Sequence, residues 1–229
     1  MSNMSSSEPP ATQLFCTSWS GGKDACFALW QSIRKGLTPT CLLTMLKADK
    51  EQTSAHGLNR DVLEAQAECM QLPIVFGKAN FGEYEAGLKA ALQDVKNTFN
   101  TFQLTFGDID LQAHRDWYEK ILVDTGITPH FPLWHYSREQ LLQDMFANGF
   151  ETMIVSLKAD KLDRNLLGKI LTPEIAVQIQ NEGVCPTGED GEFHTLVINA
   201  PHFHNRLEVD VRGIIEDEWG YTQLEIVSK

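Results

Sequence analysis

The segment Ser18-Trp19-Ser20-Gly21-Gly22-Lys23-Asp24-Ala25 puts glycines, hydroxyls and one cation at the junction of a β-prone run and a helical run. A strand that ends in two glycines and passes straight into a helix leaves several backbone N–H groups pointing into one concavity. The helix end adds about half a positive charge there. Gly21 and Gly22 let the backbone approach an anion, Lys23 supplies a full charge, and Ser18 and Ser20 supply hydroxyl donors. The chemistry is phosphate binding. Asp24 fits such a nest in two ways, as a cap on the helix or as a ligand to a metal held with the phosphates. The segment is not a Walker A loop, which needs Gly where Thr17 stands and Ser or Thr where Asp24 stands, and no GxGxxG run is present.

Other residues could work beside it. Asp108 follows Gly107 at the end of a strand-like run, where an open α/β sheet places its ligands; a helix N-cap is the competing reading. Glu189 and Glu192 flank Gly191 in a loop of small and polar residues. Two carboxylates three apart can face one pocket and bind Mg²⁺, orient an amine or accept a proton; the alternative is a solvated acidic turn. His194, His202 and His204 with Cys185 nearby invite a zinc site. However, His202-Phe203-His204 puts both imidazoles on one strand face without a proper second pair, so hydrogen-bonded or exposed histidines are expected.

Elements of the right kind surround these residues. Residues 14–19 and 41–46 read as buried strands, and residues 24–35 as a helix closed by Gly36. Residues 59–72 are helical up to Pro73, and residues 74–76 form the next strand. Tyr84, Leu88, Ala91, Leu92 and Val95 recur with helical period, and residues 101–106 give a fourth strand. The alternation predicts an α/β fold, a parallel sheet with helices on both faces. After a helix over residues 113–124, Gly126 and Pro129 break the pattern. Ser137 and Gln140 form a capping box for a helix to Asn148, residues 152–157 are strand-like, and Thr172-Pro173 opens one more helix. Residues 207–227 alternate as strand around a turn near Trp219-Gly220. The expected organisation is a flexible tail over residues 1–13, a phosphate-binding domain over 14–128 and a smaller C-terminal α+β domain over 129–229.

Composition narrows the partners. Nineteen Lys and Arg against thirty-one Asp and Glu give a net charge of −12 in 229 residues, which argues against nucleic acid and anionic membranes. The five Trp are scattered, and most read as core or interface anchors instead of a stacking platform for bases. No apolar run approaches the roughly 20 residues of a membrane span, and residues 1–13 have no apolar signal region. Five cysteines without CxxC spacing suggest reduced thiols and a cytoplasmic location. The thin apolar pattern of the second half makes a homodimer an expected partner state.

Ser20-Gly21-Gly22-Lys23-Asp24 resembles the SGGKD(S) PP-loop of the N-type ATP pyrophosphatases, with Ala25 at the usual Ser. Further matches point to the diphthine–ammonia ligase family. His56, Gln66-Ala67 and Leu72-Pro73-Ile74 are similar to its H…QA…GIP segment, and Gly188-Glu189-Asp190-Gly191-Glu192-Phe193-His194-Thr195, with Pro201 and Phe203 beyond, to its GEGGEYET…P-F signature. Trp134, Glu139-Gln140-Leu141-Leu142 and Leu166-Leu167-Gly168 match between them. The resemblance implies a Rossmann-like PP-loop fold and ATP with Mg²⁺. It implies a carboxylate acceptor, of small-molecule or protein origin, that is adenylated with release of pyrophosphate and converted to an amide by free ammonia. It places pyrophosphate on Ser18, Ser20, Gly21, Gly22, Lys23 and Asp24, adenosine near His56, Gly107 and Asp108 among the nucleotide-binding residues, and the acceptor against residues 107–115. Lys23, Glu189 and Glu192 are then the catalytic residues, and Asp24 and Glu192 the metal ligands. The chain departs from the family's S-D-Y-Q-R-x-R run, where it carries residues 107–115, so another carboxylate stands open beside diphthine. A non-catalytic ATP or AMP sensor and a PP-loop sulfur or nitrogen transferase are the alternatives.

Overall fold

Along β1 (Leu14–Ser18) neighbouring residues serve different cores, Phe15 in one and Cys16 in the other. The same division separates Leu42 from Leu43 in β2 (Thr38–Lys47), as the two-residue period of a strand requires when both faces are covered. The computed structural model describes residues 13–49, 52–53, 56–80, 82–217 and 219–229. The expected tail lies outside them apart from Gln13.

The first sheet is parallel, in the order β3 (Ile74–Ala79), β2, β1, β4 (Gln103–Thr105), β5 (Thr128–His130). On one face α1 (Lys23–Arg34) and α2 (Arg60–Cys69) join the core built on Phe15, Leu42 and Leu46. On the other, α3 (Tyr84–Phe99) and α4 (Gln112–Leu122) cover Cys16, Cys41 and Leu43. The chain moves outward from β1 to β3, then returns to the opposite side of β1 as β4. The carboxyl ends of β1 and β4 therefore flank a topological switch point, where open α/β sheets bind ligands. β5 stands where Pro129 was expected to end regular structure. Pro129 is tolerated because β5 is an edge strand and one of its sides needs no N–H donor.

The second sheet has the order β7 (Phe193–Asn199), β6 (Glu151–Lys158), β9 (Tyr221–Ser228), β8 (Val209–Glu216), all antiparallel. α1 and α2 are sandwiched between the sheets, since Phe27, Trp30, Val62 and Leu63 share one core with Ile154, Leu196 and Leu224. α5 (Arg138–Ala147) and α6 (Pro173–Asn181) add Leu141, Met145 and Ile179 to it. Only half of the expected capping box forms: the Ser137 hydroxyl accepts the Gln140 N–H, while the Gln140 side chain turns to Asp144 at 2.8 Å. No helix among the described residues is long and apolar enough to cross a membrane.

Gly107 marks a close crossing of two backbones beside the site. A β-carbon there would lie 2.7 Å from the Asp24 carbonyl carbon and 2.7 Å from the Ala25 nitrogen, so the end of β4 runs directly over the first turn of α1. Gly107→Ala should cost of order 1–3 kcal/mol. Thermal denaturation should show this as a midpoint lowered by roughly 2–10 °C; an unchanged midpoint would mean that the crossing is looser.

Candidate active site

At the switch point lies a cavity of about 510 Å³. Ser18, Ser20, Lys23, Asp24, His56, Gly107, Asp108 and Glu189 line it, drawn from both sheets and separated by up to 171 residues in sequence (189 − 18 = 171). Gly21, Gly22 and Glu192 are not among its lining residues.

The phosphate-type loop is held from behind. Gln66 is fully buried at the centre of that support: its amide donates to the carbonyls of Gly21 (3.1 Å) and Val197 (2.7 Å), and its oxygen accepts the Trp19 indole N–H at 2.8 Å. The Val197 N–H also donates to the Gly21 carbonyl at 3.0 Å, which ties the loop to β7. The α1 N-cap is Gly22, with no side-chain cap. Instead the Lys23 N–H, one of the donors a helix end leaves unpaired, reaches the Thr195 hydroxyl of β7 at 3.1 Å. The two glycines serve this packing. A β-carbon on Gly22 would collide with the His56 ring, and one on Gly21, whose φ is +82°, would lie 2.8 Å from Leu58. The same lack of a side chain leaves the backbone open to an anion.

Lys23 is 3 % exposed and its ammonium is triply engaged, by both Asp24 oxygens at 2.7 Å and by Glu189 at 3.3 Å. Burial disfavours its charge, but the two carboxylates outweigh that and raise its pKa, so it stays cationic. Glu189 is pushed up to about 7, first by burial and further by Asp24, against the pull of Lys23. A carboxyl group titrating there can hold or release a proton near neutrality. Asp108 is raised by burial, against its 3.1 Å bond to His114 Nδ1. It is not a helix cap, because Leu111 takes the N-cap position of α4.

His56 donates from Nδ1 to the Thr195 carbonyl at 2.9 Å. Burial lowers its pKa in spite of that bond, so the neutral ring presents Nε2 as an acceptor. Its centroid lies 4.8 Å from that of His194, whose pKa is lowered to about 3 by burial and by the charges of His56, Lys23 and Lys158. The folded protein thus binds fewer protons at His194 than the unfolded chain does between pH 6.5 and about 3. This contribution to stability is complete above the unfolded value and is lost as pH falls through that window. His194→Gln should flatten the acid side of a plot of melting midpoint against pH; an identical slope in the variant would remove His194 as its source.

Asp24 commits both oxygens to Lys23, and Glu192 lies outside the lining, with one carboxylate oxygen buried and unpartnered. The expected metal ligands are thus engaged differently, Asp24 with Lys23 and Glu192 away from the cavity wall. Among the described residues no group of three or more His, Cys, Asp or Glu could hold a metal ion. His202 and His204 lie in a turn instead of a strand; His202 Nε2 faces Cys26 Sγ at 3.6 Å, and His204 is exposed.

Sequence reasoning gave no role to Gln66 or Thr195 and weighed His194 only as a zinc ligand, although all three fall in the motifs it quoted. It missed Tyr84, Phe106 and Tyr118 as cavity walls, because their periodicity reads as ordinary core.

Residues 15–129 match the family model of the diphthamide synthase N-terminal domain, and residues 137–229 that of the diphthamide synthase C-terminal domain. Over 225 residues the chain is 26% identical to a human protein named diphthine–ammonia ligase, covering 86% of this chain and 82% of that one. A zebrafish protein of the same name is 23% identical over 214 residues, covering 83% and 84%. The Schizosaccharomyces pombe protein of that name is 26% identical over 222 residues, which are 88% of this chain but 37% of the longer relative.

Proposed function

The chain belongs to the diphthine–ammonia ligase family, and from that membership we propose that it is an ATP-dependent ligase which adenylates a carboxylate and joins it to ammonia as an amide. The observation that carries this reading is the placement of Lys23. A buried cation opens a helix at the switch point of a parallel sheet, and a carboxyl group that titrates near pH 7 stands 3.3 Å from it.

In this reading ATP enters with its pyrophosphate toward Ser18, Ser20 and Lys23. The acceptor carboxylate attacks the α-phosphorus, pyrophosphate leaves, and ammonia then displaces AMP from the acyl carbon. Lys23 stabilises the charge that builds on the departing pyrophosphate. To reach it, the phosphates take over contacts that Asp24 and Glu189 hold in the free protein. Glu189, relieved of its cation, receives the proton lost by the attacking ammonia. His56 keeps Nε2 as an acceptor toward the nucleoside, and Asp108 with His114 faces the acceptor. Magnesium enters only as a companion of the nucleotide's phosphates, as is usual for this ion, and no step rests on it. The acceptor is diphthine or a carboxylate of similar reach.

Pyrophosphate release tests the proposal. With ATP, ammonium and a series of carboxylates that includes diphthine, release should depend on both the carboxylate and the ammonium. Tight ATP binding with no release for any of them would replace the ligase by a non-catalytic nucleotide binder.

A further inference from the structure

Two stretches of this chain depart from the family's motifs, and one guanidinium joins them. The first is residues 107–115, in place of the S-D-Y-Q-R-x-R run; it contains Asp110. The second is Asp190, where GEGGEYET has Gly. Arg138, the first residue of α5, donates from Nε and Nη2 to the two Asp110 oxygens at 2.8 and 3.1 Å. Its Nη1 lies 3.6 Å from Asp190 Oδ1 and 3.3 Å from Cys185 Sγ.

Both of the loops so joined contribute residues to the cavity wall, Gly107 and Asp108 from one and Gly188, Glu189 and Gly191 from the other. Asp110 follows Gly107 and Asp108 in the connection from β4 to α4, and Asp190 sits between Glu189 and Gly191 in the connection from α6 to β7. Arg138 itself is not among the lining residues, so whatever it does there it does through the loops. An exposed ion pair of ordinary geometry would hold little. The two-pronged contact to Asp110 is the exception, because both bonds form in one fixed orientation, which a lysine cannot reproduce; the other loop is held through the Cys185 Sγ contact at 3.3 Å, with Asp190 beside it.

We propose that Arg138 is a positioning residue that clasps the loop bearing Asp108 to the loop bearing Glu189 and so fixes the opening through which the acceptor reaches the cavity. The ligase reading supplies only the identity of what enters; the clasp can be tested without turnover.

Amide hydrogen exchange on the full chain is the measurement. In Arg138→Met, residues 107–111 and 185–191 should exchange roughly three- to tenfold faster than in the native protein, with Arg138→Lys between the two. Affinity for ATP with Mg²⁺, measured by calorimetry, should stay within about twofold, since Arg138 is not among the residues that line the cavity. Asp110→Asn supplies the second variant. It should speed exchange in residues 185–191 as well, a loop that Asp110 reaches through Arg138. Native exchange rates at residues 185–191 in both Arg138→Met and Asp110→Asn would overturn the clasp. If the native protein fails to bind ATP while both variants loosen both loops, the ligase reading falls and the clasp stands.

Discussion

Lys23→Ala is expected to weaken ATP binding by about 2–4 kcal/mol, roughly 30- to 1,000-fold, the range for truncating one partner of a buried, hydrogen-bonded charge pair. The large effect follows from where the ammonium sits. At 3 % exposure its charge is little screened by water, and the helix end behind it has already given its first N–H to Thr195. The substitution also leaves Asp24 and Glu189 facing each other without the cation between them. The emptied site therefore repels an anion as well as failing to attract one. Calorimetric titration with ATP and Mg²⁺ is the check, and an affinity within twofold of native would remove the loop from the nucleotide site.

Glu189→Gln should act on turnover instead of binding. Loss of a general base costs about 10²- to 10⁴-fold, while nucleotide affinity should hold or improve because a competing carboxylate has gone. The pH dependence gives a sharper signature. As a base Glu189 must be ionised, so kcat/KM should rise with pH, level off above about 7, and lose its acid limb in the Gln variant. Free ammonia has to be held constant across the series, so that the ionisation of ammonium does not supply the limb. Lys23 pulls the Glu189 pKa down in the free protein. Once phosphates engage Lys23 that pull weakens, and the limb in kcat should lie at higher pH than the limb in kcat/KM. A Gln variant with native turnover and a native acid limb would take Glu189 out of the chemistry.

Both predictions concern residues named from sequence, and each shows how far sequence reasoning reached. Gly21-Gly22-Lys23 announces a strand–loop–helix junction because the glycines, the cation and the flanking periodicities are all local. The reason for the glycines was not local. Gly22 makes room for His56, thirty-four positions later (56 − 22 = 34), and Gly107 for the backbone of α1. Glu189 and Glu192 look equivalent in one dimension, yet the 188–191 turn and the start of β7 bring the first to Lys23 and leave the second outside the cavity lining. β7 itself was missed. It is buried on both faces, so Leu196-Val197-Ile198 shows no alternation to separate a strand from any other apolar run.

The sequence by itself determined the parallel-sheet architecture of the first half, the phosphate-type loop and the family resemblance, since these rest on periodicity and short motifs that need no distant partner. Only the tertiary structure decided the charge state and company of the working groups. Lys23 remains charged and Glu189 titrates near 7 because a loop of the second half closes over the first turn of α1. Desolvation and Coulomb attraction depend on what lies within a few ångströms, and for these residues that neighbourhood is assembled from segments more than 160 positions apart (189 − 23 = 166).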